Sequence, residues 1–528
     1  MFKFLFSLLT CCLSLFLFAQ DSVPQNWSNL DVAIDKVAGV SSNRAYEALL
    51  DGKTPKSVVI AVIDSGVDIE HEDLEGSIWV NKDEIPDNGI DDDLNGYVDD
   101  INGWNFIGGA SENVVYDNLE FTRIYKDLKS RLENISESSV PEDQKVDYKR
   151  YLAMKDQYAK RVAKAETEAE EFFQIQFFYE LSSQQMVQAL QDEPLTYENL
   201  MDLNFDNEQL MQMRDFLLFA IENNLGDQLA EGEEHFSSML AYSYNLDYDS
   251  RAIVGDDPNN LEEKFYGNNH LEGTRAEHGT HVAGIIAANR NNEIGIDGVS
   301  DAAQIMVLRV VPMGDERDKD VANAIYYAVD NGAKIINMSF GKSYSPQKYL
   351  VDKAIQYAAS KDVLLVHASG NHGRNNDKST NFPNPVDEVS RELCPTWIEV
   401  GASTQTVDEH LAAEFSNYGK KSVDVFAPGH EIYSLAPDNQ YKTQSGTSMA
   451  APVVSGVAAI LFSYFPDLTA KDVREIVVNS CGDYGKLKVL VPGTTKKKKF
   501  KRISRTGGVV NAYNAVKMAS EYEQNLSK

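Results

Sequence analysis

The sequence predicts an α/β protein: a three-layer domain on a mostly parallel central sheet, with a separate α-helical insertion. Two observations predict the domain. Short apolar runs recur along the chain and end in polar turns, as strands buried on both faces do. Stretches with helical spacing separate those runs, which is the alternation typical of parallel sheets. A third observation, a long acidic stretch with helical spacing and little Gly or Pro, predicts the insertion.

The predicted strands are short. The first covers residues 57–64 and ends at Asp64, and the others cover 305–311, 334–339, 363–367, 397–401 and 423–426. The helical stretches between them cover 280–288, 318–331, 346–360 and 448–464. Because ligands bind at the carboxyl ends of strands in such sheets, the residues that follow the strands are candidates for a functional site.

The composition is that of a folded, strongly acidic protein. Of 528 residues, 43% are apolar and 25% are charged, and 49 Lys and Arg oppose 81 Asp and Glu, for a net charge of −32. This balance argues against binding to nucleic acid or to an anionic membrane, because both need a basic surface. It suits solubility and divalent cations.

The N-terminus has the layout of a signal peptide, residues 1–19. Lys3 supplies a positive charge, residues 4–18 are almost wholly apolar, and Ala19 is a small residue suited to cleavage. A retained anchor is the alternative, and residues 8–11 give a weak hint of lipidation. No later run of about eighteen apolar residues follows, so we expect a secreted, periplasmic or cell-surface protein without a membrane span in the mature chain.

Residues 111–250 interrupt the alternating pattern. They hold 29 acidic and 12 basic residues, a net of −17. We interpret them as a helical insertion packed on or beside the main domain, which comprises 56–110 and 251–522, and a solvated appendage is the alternative. Residues 20–55 form a leader segment with a helix at 42–50, and 523–528 form a tail. The basic run at 496–502 is interpreted as a solvated loop.

Only two cysteines remain beyond the signal peptide, which itself holds Cys11 and Cys12. Cys394 and Cys481 form either one disulfide, in an oxidising compartment, or two free buried thiols. Both alternatives stay open at the level of sequence.

Asp64 and His278 have surroundings that suggest catalysis. Asp64 ends the first strand, where a carboxylate can fix the tautomer of a histidine, although an Asp that starts a turn before Gly66 is the alternative. His278 begins a helix rich in small residues, where it could act as a general base. His281 does not complete the His-Glu-x-x-His pattern of zinc peptidases, so we expect a packing residue there.

Ser448 lies between Gly446 and Pro452 at the start of another helix. Proline suits the first helical turn, where a missing N–H costs little. The free N–H groups and the helix dipole at such a position favour developing negative charge. A serine that only caps the helix is the alternative.

The three residues occur in the order Asp64, His278, Ser448, each beside glycines, which is the order of the subtilisin-type triad. Over about residues 27–109 and 251–519 the sequence resembles the subtilisin-like serine peptidases, or subtilases, of the bacterial secreted type. The resemblance implies that Asn371 and the backbone N–H of Ser448 bind the oxyanion. It also implies a specificity pocket lined by Ser339, Phe340 and Gly341, with Ser369 and Gly370 opposite.

The resemblance therefore implies a secreted serine endopeptidase that hydrolyses protein or peptide substrates through an acyl-enzyme. The alternatives are a catalytically silent, calcium-dependent binding protein of the same fold and a calcium-dependent structural or adhesive protein. The intact triad with Asn371 favours the enzyme.

Two features depart from the family pattern. The leader is short for a folding pro-domain, and 214 residues separate Asp64 from His278. We expect the insertion to emerge beside the substrate cleft as a selectivity lid or docking surface.

The acidic stretch at 87–100 predicts a structural calcium site. Asp91, Asp93 and Asn95 align with the first, third and fifth positions of the calcium loop D-x-[DN]-x-[DN]-G, and Gly96 falls at the turn. Oxygen ligands alone favour calcium over zinc or copper, and an ion-free acidic loop is the alternative. The candidate ligands are Asp91, Asp93, Asn95, Tyr97, Asp99 and Asp100.

Overall fold

The structure, a computed structural model, describes residues 24–191, 193–387 and 389–526. The predicted signal peptide, with Lys3, Ala19 and the two cysteines at 11 and 12, lies outside the described residues. So do the first residues of the leader and the end of the predicted tail.

The strands are, in chain order, β1 Val58–Asp64, β2 Gly103–Asn105, β3 Ala303–Arg309, β4 Ile335–Met338, β5 Leu364–Ala368, β6 Trp397–Ser403, β7 Val425–Pro428, β8 Ile432–Ala436, β9 Gln440–Gln444, β10 Gly482–Asp483, β11 Lys488–Leu490, β12 Lys497–Lys499 and β13 Gly508–Val509. Nine of these described strands form one sheet, in the order β10-β13-β7-β6-β5-β4-β1-β3-β2. All neighbours in it are parallel except the edge strand β10. Two antiparallel hairpins, β8–β9 and β11–β12, lie outside it.

The α-helices are α1 Ser42–Ala45, α2 Glu120–Leu132, α3 Lys145–Leu190, α4 Tyr197–Met201, α5 Glu208–Glu222, α6 Leu225–Ser238, α7 Arg251–Val254, α8 Glu277–Ala287, α9 Asp318–Asp330, α10 Lys348–Ser360, α11 Thr447–Tyr464, α12 Ala470–Asn479 and α13 Ala512–Leu526. One π-helical turn, Tyr46–Leu50, extends α1, and another, Met239–Ser243, follows α6.

β1 lies inside the sheet between β3 and β4. Its register runs from Val58↔Ala303 to Asp64↔Arg309 on the β3 side, and it pairs with β4 on the other side. Separate buried clusters of apolar side chains cover the two faces of the sheet. This explains why the strand is apolar at consecutive positions rather than at alternate ones.

Helix α11 crosses one face of the sheet. Among the described helices it alone is long and apolar enough to span a membrane, and 89% of it is buried inside the protein, which is the environment of a core helix. The glycine at position 456 allows the helix to pack closely against Val299, because a Cβ on Gly456 would lie 2.5 Å from Val299 Cβ. The N-terminus of the helix, which contains Ser448, therefore lies at the edge of the sheet.

The predicted fold class is confirmed: a mostly parallel sheet with helices on both faces and a helical insertion. The predicted central strands and helices all form, with ends shifted by a few residues. The helix predicted from residue 280 begins at Glu277, which places His278 in its first turn. Strands β2, β10 and β13 were not predicted, because each has only two or three residues and little pattern.

The described part of the leader is built into the main domain. Trp27 is buried in the core cluster that also contains α11, and its indole N–H donates to Glu431 O over 3.0 Å. The backbone N–H of Ala512, at the start of α13, donates to Val40 O over 2.7 Å. The predicted helix at 42–50 appears as α1 and its π-helical extension.

Helices α2 to α6 form the insertion. The 46-residue α3 packs along α2 through one apolar cluster and against α4 and α5 through a second. The basic run is not a loop, since Lys497–Lys499 form the exposed strand β12. Cys394 and Cys481 are free thiols, so the disulfide alternative does not apply.

Candidate active site

Asp64 and His278 meet at the carboxyl edge of the sheet, where β1 ends and α8 begins. His278 Nδ1 lies 2.7 Å from Asp64 Oδ1, and Asp64 Oδ1 also accepts from the backbone N–H of Ser65 over 2.7 Å. The contact needs a close approach of the two backbones: a Cβ on Gly279 would lie 2.0 Å from Gly66 O. This explains the glycines beside both residues in the sequence.

The surroundings of the pair favour the charged imidazolium. Asp64 is buried, and its Oδ2 has no hydrogen-bond partner among the described residues, so its negative charge acts mainly on His278. Burial alone would lower the pKa of His278, but the charge and the hydrogen bond of Asp64 outweigh it and raise this pKa above its ordinary value. The imidazole side chain is still 37% exposed and so accessible from the surface.

Ser448 lies in the first turn of α11, where backbone N–H groups have no intrahelical acceptor. Its hydroxyl donates to Ser339 O over 2.9 Å, and the hydroxyl of Ser339 donates to Ser448 O over 2.8 Å. Among the described residues, no hydrogen bond joins Ser448 Oγ to His278. The hydroxyl must therefore turn away from Ser339 before the imidazole can accept its proton.

Asn371 follows β5 and is held by Thr447. Its Oδ1 accepts from the backbone N–H and from the hydroxyl of Thr447, both over 2.8 Å. A backbone N–H only donates, so the contacting atom of Asn371 is its carbonyl oxygen, and the amide NH₂ must point away. The NH₂ lies on the side of Gly446, within reach of the turn before Ser448.

Two segments follow strands β4 and β5 and flank Ser448. Ser339 is buried, Phe340 half-buried and Gly341 exposed, and on the other side Gly370 donates its N–H to Thr447 Oγ1 over 3.0 Å. Ser369 is fully buried and donates to the backbone carbonyl of Asn417. It therefore shapes this segment from inside rather than lining an open surface.

Asn381 and Asn417 are two residues at this site that sequence reasoning missed. The side chain of Asn381 fills the space beside Gly341, where a Cβ would lie 2.9 Å from its amide. Asn417 Nδ2 donates to Ser369 O over 2.8 Å. Asn381 lies in the connection between β5 and β6, and Asn417 lies in the connection between β6 and β7, so neither directly follows a predicted strand.

His281 is a packing residue, as the sequence predicts. It is buried, and its Nε2 lies 3.1 Å from Ile432 O and 3.0 Å from Lys442 O. Burial lowers the pKa of His281 to about 4, so the ring is neutral at physiological pH. It ties α8 to the β8–β9 hairpin.

The acidic loop brings three carboxylates together, and one of them was not predicted. Ligand atoms of Glu84, Asp93 and Asp100 lie within 4.8 Å of one another. Asp91 instead accepts from the backbone N–H groups of Asn95 and Gly96, and Asp99 accepts from those of residues 88 and 89. Burial, with a smaller contribution from Asp93, raises the pKa of Asp100 to about 6.

The root of the insertion, residues 115–120 together with α6, contacts the segments that follow β3 and precede α8. Met313, four residues after β3, donates its N–H to Val115 O over 2.7 Å, and its carbonyl accepts from Asp117 N over 3.0 Å. On α6, Glu234 accepts from Tyr116 over 2.8 Å and pairs with Arg275. Arg275 lies three residues before His278.

A buried ion cluster fixes this root to the segment after β4. Lys342 follows Gly341 and lies 2.9 Å from a carboxylate oxygen of Glu120 and 2.8 Å from one of Asp318. Burial would raise the pKa of Glu120, but Arg123 and Lys342 outweigh it and lower this pKa to about 2. The insertion is therefore joined to the main domain at the segment that contains Gly341 and Lys342, and it is not a free appendage.

A carboxylate, an imidazole and a serine hydroxyl at one edge of a parallel sheet, beside a side-chain amide, are the groups needed for acyl transfer to serine. The chain belongs to the Subtilase family, which matches residues 55–509.

Three relatives among curated proteins are proteases by name. The chain is 40% identical to the thermophilic serine proteinase of Bacillus sp. (strain AK1), over 41% of this chain and 48% of that protein. It is 37% identical to thermitase of Thermoactinomyces vulgaris, over 45% of this chain and 74% of that protein. It is 35% identical to the cell wall-associated protease of Bacillus subtilis (strain 168), over 42% and 23%. The chain thus spans less than half the length of two of these three.

Proposed function

We propose that this protein is a secreted serine endopeptidase that hydrolyses protein or peptide substrates. The observation that carries the proposal is the 2.7 Å contact between Asp64 and His278 beside the N-terminus of α11, which holds Ser448. Membership of the Subtilase family and the names of the relatives support the activity. The relative associated with the cell wall, together with the signal-peptide pattern, supports export.

The mechanism is acyl transfer in two steps. Ser448 Oγ turns from Ser339 O, loses its proton to His278 Nε2 and attacks the substrate carbonyl carbon. Asp64 holds the Nδ1–H tautomer and stabilises the imidazolium that forms. Asn371 Nδ2 and the N–H of Ser448 bind the oxyanion, and His278 then protonates the leaving amine. Water hydrolyses the acyl-enzyme by the same sequence of proton transfers.

A fluorophosphonate that reacts with activated serines tests this proposal. We expect one equivalent to be incorporated into the native protein, on the peptide that contains Ser448, and none into protein unfolded in guanidinium. Casein digestion should disappear in step with labelling. Labelling of another serine, or no labelling of folded protein, would contradict the assigned nucleophile.

A catalytically silent binding protein is the second candidate, and one observation favours it: Ser448 Oγ bonds to Ser339 O rather than to His278. The same labelling separates the two candidates, since a silent protein would bind peptides without reacting.

We expect the acid limb of the pH profile of kcat/KM to lie above pH 6.5, because the base is neutral His278 and its pKa is raised from the ordinary 6.5. The raised pKa means that the folded protein stabilises His278 in its charged form. The stability that Asp64 lends the imidazolium is fully present below the unfolded pKa and is lost as pH rises through the folded pKa. The measurement is kcat/KM against pH for a peptide p-nitroanilide. In Asp64→Asn the limb should move to lower pH, and a limb that stays in place would contradict the assignment.

We further propose that the acidic loop binds a structural calcium ion. Glu84, Asp93 and Asp100 would hold it, because their carboxylates converge and a cation between them would offset their mutual repulsion. Asp91 and Asp99 of the sequence-based ligand set would instead shape the loop through its N–H groups. The ion would act on stability and take no part in the reaction.

Calcium should raise the melting temperature, since a ligand that binds only the native state stabilises it by about 2.7 kcal/mol at roughly a hundredfold excess over Kd. The measurement is thermal unfolding with a chelator and with added calcium. The shift should vanish in Glu84→Gln/Asp93→Asn and persist in Asp91→Asn, the matched control. The reverse result would restore the ligand set that the sequence suggests.

We also propose that the insertion is a wall of the substrate cleft that favours basic substrates. Its contacts with Met313, Lys342 and Arg275 support the location, and its net charge of −17 supplies the field.

Glu234→Gln should lower the preference for basic over acidic peptides by about two- to fivefold, because it leaves Arg275 unpaired beside the cleft and a half-exposed pair contributes at most about 1 kcal/mol. The ratio of kcat/KM for the two peptides is measured at low and high salt, and the effect should shrink at high salt. Glu233→Gln is the control, because Glu233 bonds to Gln176 within the insertion. If the ratio of kcat/KM for the basic and the acidic peptide is the same in Glu234→Gln and Glu233→Gln, the insertion is not a wall of the substrate cleft.

A further inference from the structure

His367 is a fully buried histidine on β5 that the proposed mechanism does not use. Its Nε2 lies 2.9 Å from Phe340 O, and its Nδ1 lies 2.9 Å from Glu399 Oε2 on β6. The ring also packs against the ring of Trp397, with 5.3 Å between centroids. A polar pair is thus buried directly behind the segment that flanks Ser448.

The hydrogen-bond partners determine where the protons are. Phe340 O is a carbonyl and only accepts, so His367 Nε2 carries a hydrogen. Glu399 Oε2 also accepts from the indole N–H of Trp397 over 3.0 Å. A neutral imidazole has a single N–H, which Phe340 already uses, so the contact between Nδ1 and Oε2 requires one further proton. The pair shares that proton and carries no net charge, which makes its burial tolerable.

The charged groups nearest the pair are bound elsewhere. Asp424 Oδ2 accepts from the backbone N–H of Glu399 over 3.0 Å, and Asp424 Oδ1 pairs with Arg474 and Arg505. Among the described residues, no basic side chain other than His367 pairs with the Glu399 carboxylate. His367 and Glu399 therefore depend on each other.

We propose that His367 and Glu399 are positioning residues for substrate binding. Their common target is the Phe340 carbonyl, for which His367 is the hydrogen-bond donor among the described residues. Fixing this carbonyl fixes the peptide plane between Phe340 and Gly341, in the middle of the segment assigned to the specificity pocket. Glu399 acts through His367 by holding the ring in the orientation that donates to Phe340. The inference rests on the proposed peptidase function and names a determinant of its pocket.

The other contacts of the segment define what the pair adds. Ser339 is held by its two hydrogen bonds with Ser448, and Lys342 by a pair of 3.0 Å backbone bonds with Phe382. Phe340 and Gly341 lie between these anchors. Without His367, no hydrogen bond among the described residues would hold the Phe340 carbonyl. Loss of His367 should therefore affect substrate binding more than the chemistry at Ser448.

Three variants test the proposal: His367→Leu, the double variant His367→Leu/Glu399→Leu, and His367→Gln. The first removes the donor to Phe340 and leaves the buried Glu399 carboxylate with the indole N–H of Trp397 but without the imidazole, so it should lower both the melting temperature and substrate affinity. The double variant removes the carboxylate and its burial cost, loses the hydrogen bond from Trp397, and should recover part of the melting temperature. Glutamine can again place an N–H near the Phe340 carbonyl, and it serves as the rescue.

We expect KM for a peptide p-nitroanilide to rise about three- to tenfold in the leucine variants, the worth of one hydrogen bond. Two results identify positioning: KM stays raised in the double variant although part of the stability returns, and it falls back in His367→Gln. A merely structural role predicts that KM recovers together with the melting temperature, and that result would overturn the proposal. If His367→Leu does not fold, the double variant and His367→Gln carry the comparison.

The rate of fluorophosphonate labelling is measured in parallel, because a small probe needs Ser448 and His278 but not the extended pocket. It should change less than about twofold in every folded variant. An unlabelled parent would show that the proposed peptidase function fails. A labelled parent whose variants all keep the parental KM would show that the positioning role alone is wrong.

Discussion

Ser448→Ala should abolish turnover and leave a folded protein. Alanine cannot form the acyl-enzyme, and kcat should fall by about 10⁶-fold, which is the loss seen when the nucleophilic serine of subtilisin, a member of this family, is removed. The fold should survive because the hydroxyl makes one hydrogen bond as a donor, to Ser339 O, and a single such bond contributes about 1 kcal/mol. The measurement is kcat for a peptide p-nitroanilide, with circular dichroism as the check on folding.

Ser445→Ala is the matched control for this variant. Its hydroxyl, three residues earlier, accepts from the N–H of Glu431 over 2.8 Å and lies in the turn before the helix. It should retain activity within a few-fold. Peptide hydrolysis that persisted in Ser448→Ala at the parental rate would remove Ser448 from the role of nucleophile.

Asn371→Ala should lower kcat by about 10²- to 10³-fold and change KM little, because the oxyanion exists only near the transition state. This magnitude is known for the corresponding asparagine of subtilisin. The geometry supports a donor role: Oδ1 is bound by Thr447, and the NH₂ group has no hydrogen-bond partner among the described residues.

Two further variants separate the lost donor from disturbed packing. Asn371→Asp keeps an acceptor for Thr447 but lacks the N–H, so it should lose at least as much activity as the alanine variant. Thr447→Val removes the hydroxyl contact with Asn371 and leaves the NH₂ in place, so its kcat should stay within about tenfold of the parent. A loss seen only as higher KM in Asn371→Ala would argue that the side chain binds substrate instead.

Much of the fold and of the candidate site could be predicted because their signals are local. Asp64, His278 and Ser448 each lie in a short motif with its own glycines, and a strand such as β1 is apolar at successive positions because both faces are covered. The order of these three motifs along the chain then indicated that they belong to one site. The sequence also predicts an insertion beside the substrate cleft, which stays a prediction; the insertion forms ion pairs with Arg275 and Lys342 of the main domain.

Sequence reasoning missed residues whose roles depend on contacts with segments distant in the chain. Glu84 lies outside the calcium-loop pattern and reaches Asp93 and Asp100 by the folding back of the chain. His367 looked like the end of an apolar strand, and its partner Glu399 lies 32 residues away on the next strand. Single-sequence patterns do not report such contacts, because nothing in either segment alone requires the other.

The position of β1 has a consequence for the order in which the molecule assembles. Its partners, β3 and β4, come after the whole insertion in the chain, so β1 cannot join the sheet until residue 303 and beyond are available. Helices α2 and α3 have local contacts and form much faster than such distant strand pairing. The insertion should therefore acquire helical structure first, and closing the long loop around it should set the refolding rate. Because Asp64 and His278 meet only in that late step, the chain should remain inactive through most of its folding.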